Sequence, residues 1–192
     1  MTDFSRRAFL SAMGVGAGAV WIAAETGQLA AAGSHAWTAI RKTPPPPFDV
    51  LSAEQAADLA AVAAQIVPTD ETPGAREAGV IYFIDRSLST FAKQQRPMLE
   101  KGWKDLQKRV AKMYPGKNAF ASLSDAQQIA VLTALEKEKS PFFQNMRGAT
   151  IAGMFSNPEY GGNRDKIGWK LLGFDDRFSW AAPFGWYDRD VR

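Results

Sequence analysis

Acidic side chains in loops are the residues of this chain whose types could support catalysis. Asp70 and Glu71 are adjacent, and Glu159 and Asp165 lie on either side of a glycine-bearing loop. Two carboxylates can share the roles of general acid and general base. Asp70 and Glu71 would equally favour the positive end of a following helix, and the Thr- and Pro-rich turn around them indicates this structural role. Glu159, Asp165 and the pair Asp175–Asp176 are expected to bond backbone N–H groups or the neighbouring Arg164 and Arg177.

Two further patterns resemble ligand sites only superficially. Asn157, Glu159, Gly161 and Asn163 alternate as calcium ligands do, but Pro158 interrupts the loop and no bidentate Glu closes it. The glycines of residues 14–18 are not preceded by a strand, which a dinucleotide-binding turn requires. We therefore expect no metal or nucleotide site in this chain.

Cysteine and histidine usage narrows the chemistry further. The chain has no cysteine and one histidine, His35, which lies near the N-terminus. A thiolate nucleophile, a cysteine-held iron–sulfur cluster and a C-x-x-C-H haem attachment are excluded. A catalytic triad or a histidine zinc site cannot be built in the folded body. We expect no catalytic, cofactor-binding or metal-binding residue in this chain.

The N-terminus has the form of an export signal. Arg6 and Arg7, followed by Phe9 and Leu10, precede an uncharged run over residues 12–24 and the small residues 30–33. This arrangement predicts a twin-arginine signal over residues 1–32, read by the twin-arginine translocation machinery. The run is shorter than the roughly 20 residues of a spanning helix, which favours cleavage, with an uncleaved anchor as the alternative. Residues 33–51, with Pro44 to Pro47, predict a linker that is either a spacer or an arm lying along a neighbour.

Residues 52–192 are predicted to form one domain, in which helical periodicity dominates as far as about residue 155, and the net charge of the chain is only +3. Two capping boxes, at Ser52 and Ser124, and rows of apolar residues predict one all-α domain of about five to six helices. The second helix is predicted near 75–91. The expected core includes Val80, Phe83, Ile84, Leu88, Leu99, Trp103, Leu106, Val110, Met113, Ile129, Leu132, Leu135, Phe142, Phe143, Met146, Ile151 and Met154. No basic block of five or six residues occurs, so nucleic acid is not an expected partner.

The C-terminal end is aromatic, irregular and predicted to be an extension of this domain. Trp, Tyr and Phe are enriched at the centres of protein interfaces, so docking to a partner is slightly favoured over sealing the chain's own core. The candidate docking residues are Asn157, Tyr160, Gly161, Gly162, Asn163, Trp169, Phe174, Phe178, Trp180, Phe184, Trp186 and Tyr187.

Several segments resemble the gluconate 2-dehydrogenase subunit 3 family. They are Phe142 to Phe155, the N-P-x-Y-G-G-N-x-D stretch of residues 157–165, residues 168–174, and the turn 66–70 that leads to Pro73-Gly74-Ala75. The twin-arginine leader agrees, and the likeness covers about 52–174. Some relatives contain cysteines, and because this chain has none, a disulfide to a large subunit is ruled out.

The resemblance implies a cofactor-free small γ subunit of a sugar or sugar-alcohol dehydrogenase, an oxidoreductase of CH–OH groups with a cytochrome acceptor. The large subunit of that family is a flavoprotein of the glucose–methanol–choline type that holds FAD, and a cytochrome c subunit with haem c often receives the electrons. The implied role here is to carry the export signal and act as escort and scaffold for the flavoprotein. The complex would be periplasmic and associated with the inner membrane through its other parts. The competing hypotheses are a stand-alone exported carboxylate-based enzyme and a periplasmic binding protein.

Overall fold

The computed structural model describes residues 47–176, and within that range the chain forms six α-helices and no strand. The helices are α1 (Ala53–Ile66), α2 (Val80–Ser89), α3 (Arg96–Met113), α4 (Asp125–Lys137), α5 (Pro141–Phe155) and α6 (Ile167–Leu172). The predicted all-α class is confirmed. The predictions outside the described residues concern the signal residues Arg6, Arg7, Phe9 and Leu10, and the aromatic residues Phe178, Trp180, Phe184, Trp186 and Tyr187.

Local sequence signals fix the starts of α1 and α4. The Ser52 hydroxyl accepts a hydrogen bond from the Gln55 N–H (3.1 Å), and the Gln55 side chain accepts one from the Ser52 N–H (2.9 Å). Ser124 and Gln127 make the same reciprocal pair at α4. Both predicted capping boxes are therefore confirmed. Each one bonds N–H groups that the first helical turn cannot bond internally, which stabilises the start of the helix.

The helix α2 begins later than predicted. Residues 75–79 form a turn, and Gly79 adopts a left-handed conformation (φ 69°) directly before Val80. The prediction that Asp70 and Glu71 lie at the positive end of this helix is therefore wrong. The Asp70 carboxylate instead accepts hydrogen bonds from the Thr72 N–H (2.8 Å) and hydroxyl (3.1 Å), which closes its own turn.

The core is built around α5, which packs against α1, α2, α3, α4 and α6. Small residues permit the close approach: a Cβ at Gly153 would lie 3.0 Å from the Phe83 ring, and one at Gly102 of α3 would clash with the Phe142 side chain. Most predicted core residues are buried. Four expectations are corrected. Trp103 and Ile151 are only partly buried, Met113 is 38% exposed as the last residue of α3, and Ile129 is 54% exposed. Ile129 points outward because Gln128, Val131, Leu132 and Leu135 form the inward face of α4.

Two buried aspartates, not anticipated from the sequence, connect distant segments. Asp58 of α1 accepts hydrogen bonds from the Trp103 indole N–H of α3 (2.9 Å) and the Ala121 N–H (2.9 Å). Asp85 of α2 accepts three backbone N–H groups, from residues 49, 50 and 51, at 2.7–3.0 Å. Asp85 therefore fastens the chain that enters the domain from the predicted proline-rich linker. The sequence signal was an aspartate inside an apolar helical row, and an aspartate at such a position is buried only where its carboxylate is paired or hydrogen-bonded.

Candidate interaction surface

Asn163 holds the loop that follows α5. Its side chain is fully buried, with 0% exposure. The amide N–H donates to the Ser156 carbonyl (2.9 Å), and the amide oxygen accepts from the Gly168 N–H at the start of α6 (2.7 Å). One side chain thus joins the end of α5 to the start of α6.

Glycines in the same loop and at the start of α6 allow the backbone to touch α5. A Cβ at Gly162 would lie 1.9 Å from the Gly153 carbonyl oxygen, and a Cβ at Gly168 would lie 1.9 Å from the Met154 carbonyl oxygen. No side chain fits at either distance. Gly161 adopts φ 100°, a conformation that disfavours residues with a Cβ.

The loop backbone is also unusual at three non-glycine residues. Asn163, Asp165 and Lys166 have φ between 48° and 58°. Such conformations persist where the surroundings fix them. Here the Asn163 bonds do so, together with a hydrogen bond from the Arg164 N–H to the Ala78 carbonyl oxygen (3.1 Å) in the turn before α2.

These contacts position Trp169 and Phe174. The Trp169 indole N–H donates to the Phe155 carbonyl oxygen (2.8 Å), and the Phe174 ring meets the Trp169 ring edge-on at 5.0 Å between centroids. Phe174 is 50% exposed and Leu172 is 53% exposed. We call Trp169, Leu172 and Phe174 the aromatic patch. Exposed apolar side chains beside an aromatic ring that is fixed in place are typical of a contact surface.

The structure therefore divides the predicted docking residues. Gly161, Gly162 and Asn163 are buried and build the loop, so they are not exposed to a partner. Asn157 is exposed, but its side chain accepts the Glu159 N–H (3.1 Å) and so shapes a turn. Tyr160 is half-buried against the core. Trp169 and Phe174 belong to the patch, and Leu172 is a member that the sequence reasoning missed. Docking by this surface stays a prediction.

The candidate acid–base residues are occupied by structural bonds or are dispersed. Glu77 is the carboxylate that closes the turn before α2, because it accepts hydrogen bonds from the Thr69 hydroxyl (2.7 Å) and the Gly74 N–H (2.8 Å). The Thr69 hydrogen bond is the main reason that the pKa of Glu77 is lowered from its usual 4.5. Asp176 pairs with Lys166 (2.8 Å). Among residues 47–176, no group of three or more His, Cys, Asp and Glu side chains is arranged to hold a metal ion.

A second exposed apolar surface lies beside α4. A groove of about 180 Å³ has Ile66, Leu132 and Phe143 in its floor and the exposed Ile129 at its edge. Gln65, Glu136 and Arg147 surround it. None of the helices in the described range is long and apolar enough to cross a bilayer.

Comparison with known proteins gives one family match. The model of the family described as gluconate 2-dehydrogenase subunit 3 matches residues 53–176. This range contains all six helices, the loop of Asn163 and the aromatic patch. No curated protein and no solved structure matches the chain.

Proposed function

The chain belongs to the gluconate 2-dehydrogenase subunit 3 family, and we propose that it is the non-catalytic small subunit of a dehydrogenase complex, serving as escort and scaffold. In this proposal the large subunit is a flavoprotein of the glucose–methanol–choline type, which binds FAD and oxidises a sugar or sugar alcohol. A cytochrome c subunit with haem c accepts the electrons.

The observation that carries the proposal is how the loop motif is used. The residues of the N-P-x-Y-G-G-N stretch hold the loop against α5 and thereby present the aromatic patch. They do not converge on a cleft with free acid, base or nucleophile groups. A rigid loop that ends in exposed aromatic residues fits binding to another protein better than it fits chemistry.

The types of residue in the chain fit a partner subunit that supplies the catalytic groups. The chain has no cysteine and a single histidine, which lies outside the described residues. Both oxygens of each buried carboxylate, Asp58 and Asp85, accept hydrogen bonds from backbone or indole N–H groups. A flavin-loaded large subunit would also explain why export of folded cargo is needed.

Docking is proposed to begin at the aromatic patch. An obligate interface buries on the order of 2,000–5,000 Å², which is more than a few side chains can provide. The aromatic residues Phe178, Trp180, Phe184, Trp186 and Tyr187, which follow the patch in the sequence, are proposed to extend it.

A charge placed in the patch tests the docking surface. We expect the double substitution Leu172→Asp and Phe174→Asp to abolish co-purification of the flavin-bearing large chain, because the carboxylates would be desolvated in the interface. The matched control is Ile129→Asp, which puts a carboxylate at an equally exposed apolar position. Loss of the complex with Ile129→Asp but not with the double variant would refute docking at the patch.

A second experiment tests the escort role. In the proposal the predicted signal residues Arg6 and Arg7 direct export of both subunits to the periplasm, where the complex is associated with the inner membrane. Arg6→Lys with Arg7→Lys should leave this chain, the flavoprotein and the dehydrogenase activity in the cytoplasm. Normal periplasmic activity in that double variant, or substrate turnover by the purified small subunit alone, would count against the proposal.

A further inference from the structure

The outward side of α3 carries a row of lysines. Leu99, Leu106 and Val110 are buried and mark the side of α3 that faces the core. With 3.6 residues per turn, the opposite side holds residues that recur every three or four positions. These are Lys101, Lys104, Lys108 and Lys112, all exposed. We call them the lysine stripe; at 1.5 Å per residue it is about 16 Å long.

The positive charge of the stripe is only partly balanced. Lys104 pairs with Glu100 (2.7 Å) and Lys108 with Asp105 (3.2 Å), and both are solvent-exposed pairs of the kind that bind weakly. In the part of the chain that the structure describes, Lys101 and Lys112 make no ion pair. Arg109, beside the stripe, is already held by both carboxylate oxygens of Glu138. Glu100 and Asp105 lie among these lysines, so this side of α3 carries both signs of charge with an excess of positive charge.

The helices that bear the lysine stripe and the aromatic patch contact opposite ends of α5. The helix α3 meets α5 where Gly102 touches Phe142, whereas α6 lies against Met154 and Phe155. Phe142 and Phe155 are about 20 Å apart along the helix. The stripe therefore does not overlap the aromatic patch.

We propose that the lysine stripe binds the anionic phospholipid headgroups of a membrane surface, with α3 lying along the bilayer. The composition favours lipid over an acidic protein. Lysine ammonium groups act as point charges suited to a diffuse anionic sheet, whereas paired recognition of a protein carboxylate favours arginine. Protein interfaces also centre on buried aromatic or arginine side chains, and the middle of the stripe has none.

Vesicle binding of the purified full chain tests this. We expect sedimentation with vesicles that contain phosphatidylglycerol, no sedimentation with phosphatidylcholine alone, and release at high salt, where the Debye length shortens. Each lysine near an anionic surface gives about a fivefold gain in partitioning. Because Lys101 and Lys112 are the unpaired members, replacing all four stripe lysines by Gln should weaken binding at least about 25-fold. Glutamine keeps helix propensity, and circular dichroism verifies the fold.

A charge-matched variant separates the stripe from net charge. Gln at Lys93, Lys137, Lys139 and Lys170 removes the same charge from exposed positions elsewhere, and should retain most of the wild-type binding. Both variants also share any membrane affinity of the N-terminal segment. Equal losses in the two variants, or equal binding to neutral vesicles, would overturn the proposal. So would a stripe variant that binds vesicles normally but loses its partner subunit, because the stripe would then be a protein interface.

Discussion

Replacing Asn163 by alanine tests whether one buried amide attaches the loop and α6 to the rest of the domain. The substitution leaves the Ser156 carbonyl and the Gly168 N–H without their bonds at 2.9 and 2.7 Å. An unsatisfied buried group costs about 1–3 kcal/mol. Alanine is also less tolerant than asparagine of the φ of 48° at this position, which adds about 1 kcal/mol. We expect the attachment to weaken by about 3–5 kcal/mol.

A loss of this size should appear first as local opening. The loop and α6 contact mainly the end of α5, so they can detach while the other helices stay folded. Because each 1.4 kcal/mol is a factor of ten, amide hydrogen exchange over residues 156–172 should become at least about 100-fold faster. Far-UV circular dichroism should change little.

The matched control is Asn157→Ala in the same loop. Asn157 is exposed and accepts only the Glu159 N–H, which water can satisfy, so its loss should cost about 0.5–1 kcal/mol. If exchange over 156–172 is the same in the two variants, the assignment of Asn163 as the attachment point is refuted.

Three further perturbations follow from the same geometry. Gly162→Ala should destabilise the fold by about 3 kcal/mol in urea unfolding, since its Cβ would overlap the Gly153 carbonyl oxygen. The control Gly116→Ala has open space around it and should destabilise the fold by only about 1 kcal/mol, because of the positive φ at this position. Asp85→Asn should lower the free energy of unfolding by about 2–3 kcal/mol, because an amide N–H would face a backbone N–H donor. The control Asp105→Asn on the surface should change the free energy of unfolding by less than about 0.5 kcal/mol. The pKa of Glu77 is lowered in the folded state, so its contribution is complete above its usual 4.5 and is lost as the pH falls below that value. Glu77→Gln should therefore reduce the acid-induced loss of stability, and an unchanged pH profile would contradict this role.

The parts of the fold that were predictable are those set by neighbours in sequence. The capping boxes at Ser52 and Ser124 act across three residues, and the proline after α1 ends that helix locally. Apolar rows at helical spacing identified most of the core for the same reason. The start of α2 was misplaced because the Glu77 and Gly79 turn depends on bonds that helix periodicity does not report.

The candidate site was predictable as a segment but not in its roles. The N-P-x-Y-G-G-N stretch was recognised, yet Gly161, Gly162 and Asn163 were assigned to a partner although all three are buried. Ile129 and Met113 were assigned to the core when they face solvent. Periodicity gives a helix an apolar side, but it does not say which neighbour covers each residue.

The sequence by itself determined that the chain is helical, that it lacks cysteine, and that it resembles a dehydrogenase small subunit. Only the tertiary structure decided which glycines touch a backbone, which aspartates are buried, and that the lysine side of α3 is left exposed. The physical reason is range: helix signals act over three or four residues, whereas burial and surface charge depend on helices brought together from distant parts of the chain.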